Sequence, residues 1–321
     1  MKKKVTVLVI LITIIAILSV SYFKSQVVQV QNENIISPIP QFLNITNNNQ
    51  VSSISLWFPT LTKFLFGSSN APQISAKSAL VTDTTTGKTL YEKNPKEKLP
   101  MASLTKIMTA IIGLENPKQD DKYHVTQADI VGEDSMGLSA GETMSLEELL
   151  YGLILNSGND AAETIATNYK GGRSAFIKAM NEKAKALGLT NTNFTNPTGL
   201  EGDGNQYTTA YDLTVITKYA LDKFPLFDKV AATFDFTIPY SQNHKEFVME
   251  NETNLISSYP GVKGVKTGYT PEAGYCLVTY LDYQGHKIIA VLLGSDNRRQ
   301  EMKDLLDRSL RSLGIKPPNH S

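Results

Sequence analysis

Two apolar, β-rich stretches near the C-terminus, Tyr275 to Tyr283 and Lys287 to Leu293, are separated only by Gln284-Gly285-His286. That pattern predicts a β-hairpin. A second hairpin is predicted near the other end of the globular sequence. There Ala79-Leu80-Val81 and Thr89-Leu90-Tyr91 flank the turn residues Asp83 to Lys88, with Gly87 among them. The sequence between the two hairpins reads mainly as helices. Lys106 to Glu115 is an apolar helical run after Pro100. Ser145-Leu146-Glu147-Glu148 is a capping box that opens a helix to about Asn156. Ala161 to Tyr169, Ala175 to Leu187 and Ala210 to Phe224 follow, with Gly188 as a helix-ending glycine. Arg298 to Leu313 is a closing amphipathic helix. Strands at both ends with helices between imply one mixed α/β domain of the α+β type. Its sheet joins the first and last segments, and the helical region is inserted between them.

The chain has 321 residues, enough for one large domain or two modest ones. Lys+Arg and Asp+Glu both number 31, so no basic excess points to a nucleic-acid partner. Cys276 is the single cysteine, which excludes an intrachain disulfide. The histidines, His124, His244, His286 and His320, are scattered and no H-E-x-x-H occurs. No metal and no cofactor is expected.

Lys2, Lys3 and Lys4 precede an apolar run of 19 residues, Val5 to Phe23. That length is close to the roughly 20 residues that span a bilayer and exceeds the about 7–15 of a signal-peptide core. An uncleaved single-pass anchor is therefore favoured over a cleaved signal peptide, for which Ser19-Val20-Ser21 offers a cleavage site. Both readings leave the lysines in the cytoplasm and the rest of the chain outside. The expected organisation is a cytoplasmic tail (1–4), an anchor (5–23), a polar linker (24–72), a globular domain (73–315) and a tail (316–321). Within the linker, Leu56-Trp57-Phe58-Pro59 and Phe64-Leu65-Phe66 have two readings. They dock on the domain surface, or they rest at the bilayer interface.

Three short motifs carry chemistry. Ser103-Leu104-Thr105-Lys106 is S-x-x-K at the start of a predicted helix, where residues three apart share a face. A serine hydroxyl needs a base to become a nucleophile. A lysine serves as that base only when burial or a neighbouring cation lowers its pKa. Ser157-Gly158-Asn159 is S-x-N just past the capped helix, with a hydroxyl to relay protons and an amide to fix a carbonyl. Lys266-Thr267-Gly268 follows two glycines and precedes a strand-like segment. A Lys-Thr pair at a strand edge can hold a carboxylate, and glycine lets a substrate backbone approach.

Each motif also has decoys. S-x-x-K recurs at Ser21, at the end of the apolar run. S-x-N recurs at Ser68, Ser241 and Ser295; Ser68 and Ser295 fall outside the interval from Ser103 to Lys266, and Ser241 reads as a turn. Gly137-Leu138-Ser139-Ala140-Gly141 matches G-x-S-x-G, but a turn rather than a strand precedes it, against the needs of a nucleophile elbow.

The ordered set of motifs is far more specific than its parts. It runs through Leu99-Pro100-Met101-Ala102-Ser103-Leu104-Thr105-Lys106-Ile107-Met108-Thr109, Asn156-Ser157-Gly158-Asn159-Asp160-Ala161 and Asn196-Pro197-Thr198-Gly199-Leu200. It continues through Tyr207-Thr208-Thr209-Ala210-Tyr211-Asp212 and Gly264-Val265-Lys266-Thr267-Gly268-Tyr269-Thr270. This closely resembles the low-molecular-mass D-alanyl-D-alanine carboxypeptidases, penicillin-binding proteins of serine peptidase family S11. The resemblance covers about residues 73–315 and implies a β-lactamase/transpeptidase-like domain. It implies Ser103 as the nucleophile of an acyl-enzyme, Lys106 as its general base and Ser157 as the proton relay to the departing D-alanine. Asn159 would orient substrate and Lys106. Lys266 and Thr267 would bind the terminal carboxylate, Gly268 would belong to the same substrate-binding set, and the backbone N–H groups of Ser103 and Tyr269 would form the oxyanion hole. The implied partners are a peptidoglycan stem peptide ending in D-Ala-D-Ala, β-lactam inhibitors, and a membrane held through the N-terminal helix.

Two departures accompany this resemblance. Many relatives carry a second, β-rich domain and a C-terminal amphipathic helix, whereas this sequence reaches Pro317-Pro318-Asn319 soon after the catalytic domain, and the N-terminal anchor would replace that attachment. Some relatives also place an arginine upstream of K-T-G, where this chain has Asn251-Glu252-Thr253-Asn254. Two alternatives stay open: a β-lactamase using Glu201 in a loose E-x-x-x-N, and a penicillin sensor that acylates without turnover. Endopeptidase action on cross-links uses the same acyl chemistry.

Overall fold

The central sheet has five strands: β1 (Ser78–Asp83), β2 (Thr89–Lys93), β3 (Val262–Thr270), β4 (Gly274–Tyr283) and β5 (His286–Ser295). Their spatial order is β2-β1-β5-β4-β3, and every pairing is antiparallel. The computed structural model describes residues 41–47, 50–61 and 73–320; the expected anchor at 5–23 and much of the expected linker lie outside them. β1 lies directly against β5, with Val81 opposite Ala290, so the first and last segments share the sheet as expected.

Both faces of this sheet are covered, which explains why β4 and β5 read as nearly continuous apolar runs. Side chains alternate along a strand with period two. Cys276, Val278, Ile289 and Val291 face the inserted helices, while Leu277, Leu281, Ile288 and Leu292 pack against Met302, Leu305 and Leu306 on the other face. The turn between the strands is shorter than its sequence suggests. Gln284 and Gly285, both at positive φ, make a two-residue loop, and His286 already pairs with Tyr283.

The helices are α1 (Lys106–Glu115), α2 (Leu146–Leu155), α3 (Asn159–Thr167), α4 (Gly172–Ala186), α5 (Ala210–Lys223), α6 (Pro225–Ala231), α7 (Leu255–Ser258) and α8 (Arg298–Ser312). The capping box forms: Ser145 N–H donates to Glu148 Oε2 (2.8 Å), and Glu148 N–H donates to Ser145 Oγ (3.3 Å). Gly188 takes the left-handed position after α4, with Leu189 N–H donating to Ala184 O (2.9 Å).

Three features depart from the sequence reading. α3 starts two residues early and includes Asn159. α6 was not anticipated, because Pro225 acts as a first-turn helix residue rather than a break. Asp235–Ile238 and Phe247–Glu250 pair as a small hairpin, with Ser241 in its connection.

Within the stretch read as a linker, Gln41–Asn47 and Gln50–Leu56 pair as two strands. Residues 57–61 dock on the domain, the first of the two readings given above. Phe58 stacks on Tyr211 with ring centroids 6.4 Å apart, and Thr60 N–H donates to Gly87 O (3.0 Å). Among the described residues no helix is long and apolar enough to cross a membrane.

The cap at Ser145 is local and separable from the rest of the fold. Ser145→Ala is expected to lower the unfolding free energy by about 1 kcal/mol, measured by urea denaturation, with the native far-UV spectrum unchanged.

Candidate active site

Ser103 lies on a single 3-10 turn, Ala102–Thr105, that leads directly into α1. Ala102 sits at φ +48°, a left-handed conformation costly for a residue with a side chain. The turn is pressed from below by the Pro197-Thr198-Gly199 block. A Cβ at Gly199 would fall 2.0 Å from the Ala102 carbonyl oxygen, so only glycine fits there.

Lys106, the first residue of α1, is fully buried. Its Nζ donates to Asn159 Oδ1 (2.7 Å), Ser103 Oγ (2.8 Å) and the Thr198 carbonyl (2.9 Å), with Ser157 Oγ at 3.4 Å. Burial pushes its pKa well below the usual lysine value, and the nearby Lys266 charge adds to the effect; Asp134, Glu252 and Asp160 oppose it. A proton acceptor is thus in hydrogen-bond reach of a serine hydroxyl.

Ser157 comes from the link between α2 and α3, and Asn159 is the first residue of α3. Ser157 also takes a positive φ, +55°. Asp160, which follows, holds this link against the neighbouring loop. Its buried carboxylate accepts from the backbone N–H groups of Met136 (3.0 Å), Gly137 (3.0 Å) and Leu138 (2.9 Å). Asn159 N–H donates to the Asp134 carbonyl (2.8 Å). Asp160 is a supporting residue that motif spelling alone did not single out.

Lys266, Thr267, Gly268 and Tyr269 all lie within β3, the edge strand, rather than ahead of a strand. Glycines weaken the strand signal of this segment, and pairing with β4 overrides it. Gly268 permits the close approach of β3 to the nucleophile turn: a Cβ there would lie 3.1 Å from Ser103 N and 3.2 Å from Met101 O. Lys266 is fully buried, and its Nζ has no hydrogen-bond partner among the described residues. Burial lowers its pKa to about 8, against the opposing pull of Glu252 and Asp134 and with help from Arg298. Thr267 Oγ1 donates to Glu252 Oε2 (3.0 Å). Tyr269 is 54% exposed, and its ring lies against Tyr275.

These side chains surround one cleft of about 590 Å³, bounded by Ser103, Ser157, Asn159, Thr267, Tyr269 and Arg298. Arg298 is a cation the sequence reading missed. Some relatives place an arginine upstream of Lys266, whereas Arg298 opens α8, downstream. Its Nη1 donates to the Gly268 carbonyl (2.8 Å). Only the packing of α8 beside β4 and β5 brings it to the cleft, so no local motif marks it.

The decoys fall elsewhere. Ser295 Oγ donates to Glu301 Oε2 (2.7 Å) in the turn that opens α8. Ser139 lies in an irregular segment with no strand before it, and Ser68 is outside the described residues. Glu201, the residue a β-lactamase would use, does line the cleft, but it is exposed and its Oε1 accepts from the Glu272 backbone N–H (3.0 Å). A serine, a buried amine, a relay hydroxyl and a cation pocket in one cleft are suited to acyl transfer on a substrate with a terminal carboxylate.

Comparison with known proteins agrees with this arrangement. D-alanyl-D-alanine carboxypeptidase DacF of Bacillus subtilis is 40% identical over 241 residues, which cover 72% of this chain and 61% of that protein. The chain thus spans about three-fifths of that relative's length. The crystal structure of the Streptomyces K15 DD-transpeptidase superposes with a TM-score of 0.70 at 33% identity, covering 75% of this chain and 98% of that one. Penicillin-binding protein D2 of Listeria monocytogenes, solved in its ampicillin-bound form, gives a TM-score of 0.66 at 28% identity, over 75% of this chain and 99% of that one. These neighbours share the β-lactamase-like arrangement of antiparallel sheet and inserted helices. The family model described as D-alanyl-D-alanine carboxypeptidase matches residues 67–297, a span that holds every motif in the cleft except Arg298, and the chain belongs to that family, Peptidase_S11.

Proposed function

We propose that this protein is a D-alanyl-D-alanine carboxypeptidase that removes the terminal D-alanine of peptidoglycan pentapeptides through an acyl-enzyme on Ser103. The observation that carries the reading is the buried Lys106 amine, 2.8 Å from Ser103 Oγ, with a pKa held well below that of a free lysine. The neutral amine takes the Ser103 proton as Oγ attacks the carbonyl of the penultimate D-alanine. Negative charge on that oxygen is met by the backbone N–H groups of Ser103 and Tyr269; one such donor is worth about 2.7–4 kcal/mol in comparable enzymes. The C–N bond breaks, and the leaving amine receives its proton from Lys106 by way of Ser157. Water then repeats the sequence in reverse and frees the shortened peptide.

Substrate orientation follows from the rest of the cleft. Lys266, Thr267 and Arg298 hold the terminal carboxylate, and Asn159 orients the peptide while fixing Lys106. β3 is an edge strand, so an extended peptide can pair along it. A β-lactam carries both a strained acyl group and a carboxylate and enters by the same contacts. The domain works outside the cytoplasmic membrane, held by the apolar run at 5–23 with Lys2 to Lys4 on the inner side.

Two experiments test this reading. The wild-type protein should release free D-alanine steadily from a peptide ending in D-Ala-D-Ala, and Ser103→Ala should lower kcat by at least about a thousandfold while leaving the melting temperature within a few degrees. Release by the variant at the wild-type rate would remove Ser103 from the mechanism. The second is a pH profile. Lys266 is charged below its pKa of about 8 and neutral above it. kcat/KM for carboxylate-ended peptides should therefore fall as pH rises through about 8, and Lys266→Arg should move that limb to higher pH.

A further inference from the structure

The carboxylate pocket is already occupied by a carboxylate of the protein itself. Glu252 Oε2 accepts from Thr267 Oγ1 at 3.0 Å and lies 3.8 Å from Lys266 Nζ. It also acts electrostatically on Arg298, whose guanidinium it helps keep charged. These three groups are the ones assigned above to the substrate's terminal carboxylate. Glu252 lines the same cleft.

The backbone and side chain of Glu252 are held very differently. Its neighbours Asn251 and Thr253 are buried. Asn251 Nδ2 donates to the Ala231 carbonyl (3.2 Å) and the Thr233 carbonyl (2.9 Å), and Glu252 N–H donates to the Leu155 carbonyl (3.2 Å). The Glu252 side chain, by contrast, is 42% exposed. A fixed backbone thus presents a carboxylate that can rotate out to water without disturbing the strand it touches.

We propose that Glu252 is a specificity-determining residue: it is an internal competitor for the terminal-carboxylate subsite, and a substrate's own carboxylate must displace it. The inference rests on the carboxypeptidase reading. The competition weakens the preference of this enzyme for peptides with a free C-terminal carboxylate over peptides whose C-terminus is neutral.

The test compares wild type, Glu252→Gln and Glu252→Asp at pH 6.5, where Lys266 keeps its charge. Each is assayed on a peptide ending in D-Ala-D-Ala and on the same peptide as its C-terminal amide. Glu252→Gln should lower KM for the free acid by about tenfold, with a smaller change in kcat, and should leave KM for the amide nearly constant. Glu252→Asp, whose carboxylate is retracted by one methylene, should fall between. A raised KM for the acid, or equal changes for acid and amide, would overturn the proposal and make Glu252 a support of Lys266. Acylation by benzylpenicillin and by its methyl ester is followed in parallel, because it needs no turnover. If wild type acylates but releases no D-alanine, the carboxypeptidase reading fails, and the acid-to-ester acylation ratio in Glu252→Gln still decides the role of Glu252. If nothing reacts, both fall together.

Discussion

Burying a lysine amine is costly unless oxygens receive it, and the well-partnered burial of Lys106 organises this protein. Three pieces of chain meet at its Nζ: the turn that carries Ser103, the Ser157-Gly158-Asn159 segment and the Thr198 carbonyl. Each would be an exposed loop on its own. Around the amine they become a fixed frame, because a missing partner would leave a buried polar group unsatisfied. The strained Ala102 and Ser157 backbones are tolerated for the same reason: the surrounding contacts leave them no alternative. Desolvation that costs stability is also what turns the lysine into a base.

The second buried lysine has a different environment and therefore a different task. Lys106 is saturated with oxygen partners, whereas Lys266 has none at hydrogen-bond distance among the described residues. In the proposed mechanism the first takes the Ser103 proton, and the second, charged below a pKa of about 8, meets the carboxylate of the substrate. The two are alike in burial and chemistry, and the difference lies in which oxygens reach them: two hydroxyls, a side-chain amide oxygen and one backbone carbonyl at Lys106, and none at hydrogen-bond distance at Lys266 among the described residues.

How much of this was legible in the sequence depended on distance along the chain. Ser103 and Lys106 are one helical turn apart, and Ser145 with Glu148 likewise, so spacing alone related them. The pairing of the first and last hairpins was also readable, because their apolar strands need a shared sheet. Arg298 and Glu252 were not. Their places in the cleft depend on how α8 packs beside β4 and β5 and on how the link after the small hairpin meets β3, and no residue beside them in sequence hints at it. Local rules also fell short twice. The helix read from Ala210 stops at Phe224, yet Pro225 opens a further helix, and Lys266-Thr267-Gly268 reads as preceding a strand although β4 holds it within one. The anchor expected at 5–23 lies outside the described residues.

The docked segment at 57–61 has a bearing on the sheet as a whole. Any open sheet has two rims of unpaired backbone groups, each able to template another strand. Here Thr60 forms a parallel bridge to Lys88, at the start of β2, and so occupies part of one rim. The opposite rim is β3, beside Ser103. The polypeptide on its way into the domain therefore blunts the far side, and the sheet offers its backbone to an extended chain chiefly beside Ser103, the residue proposed above as the nucleophile.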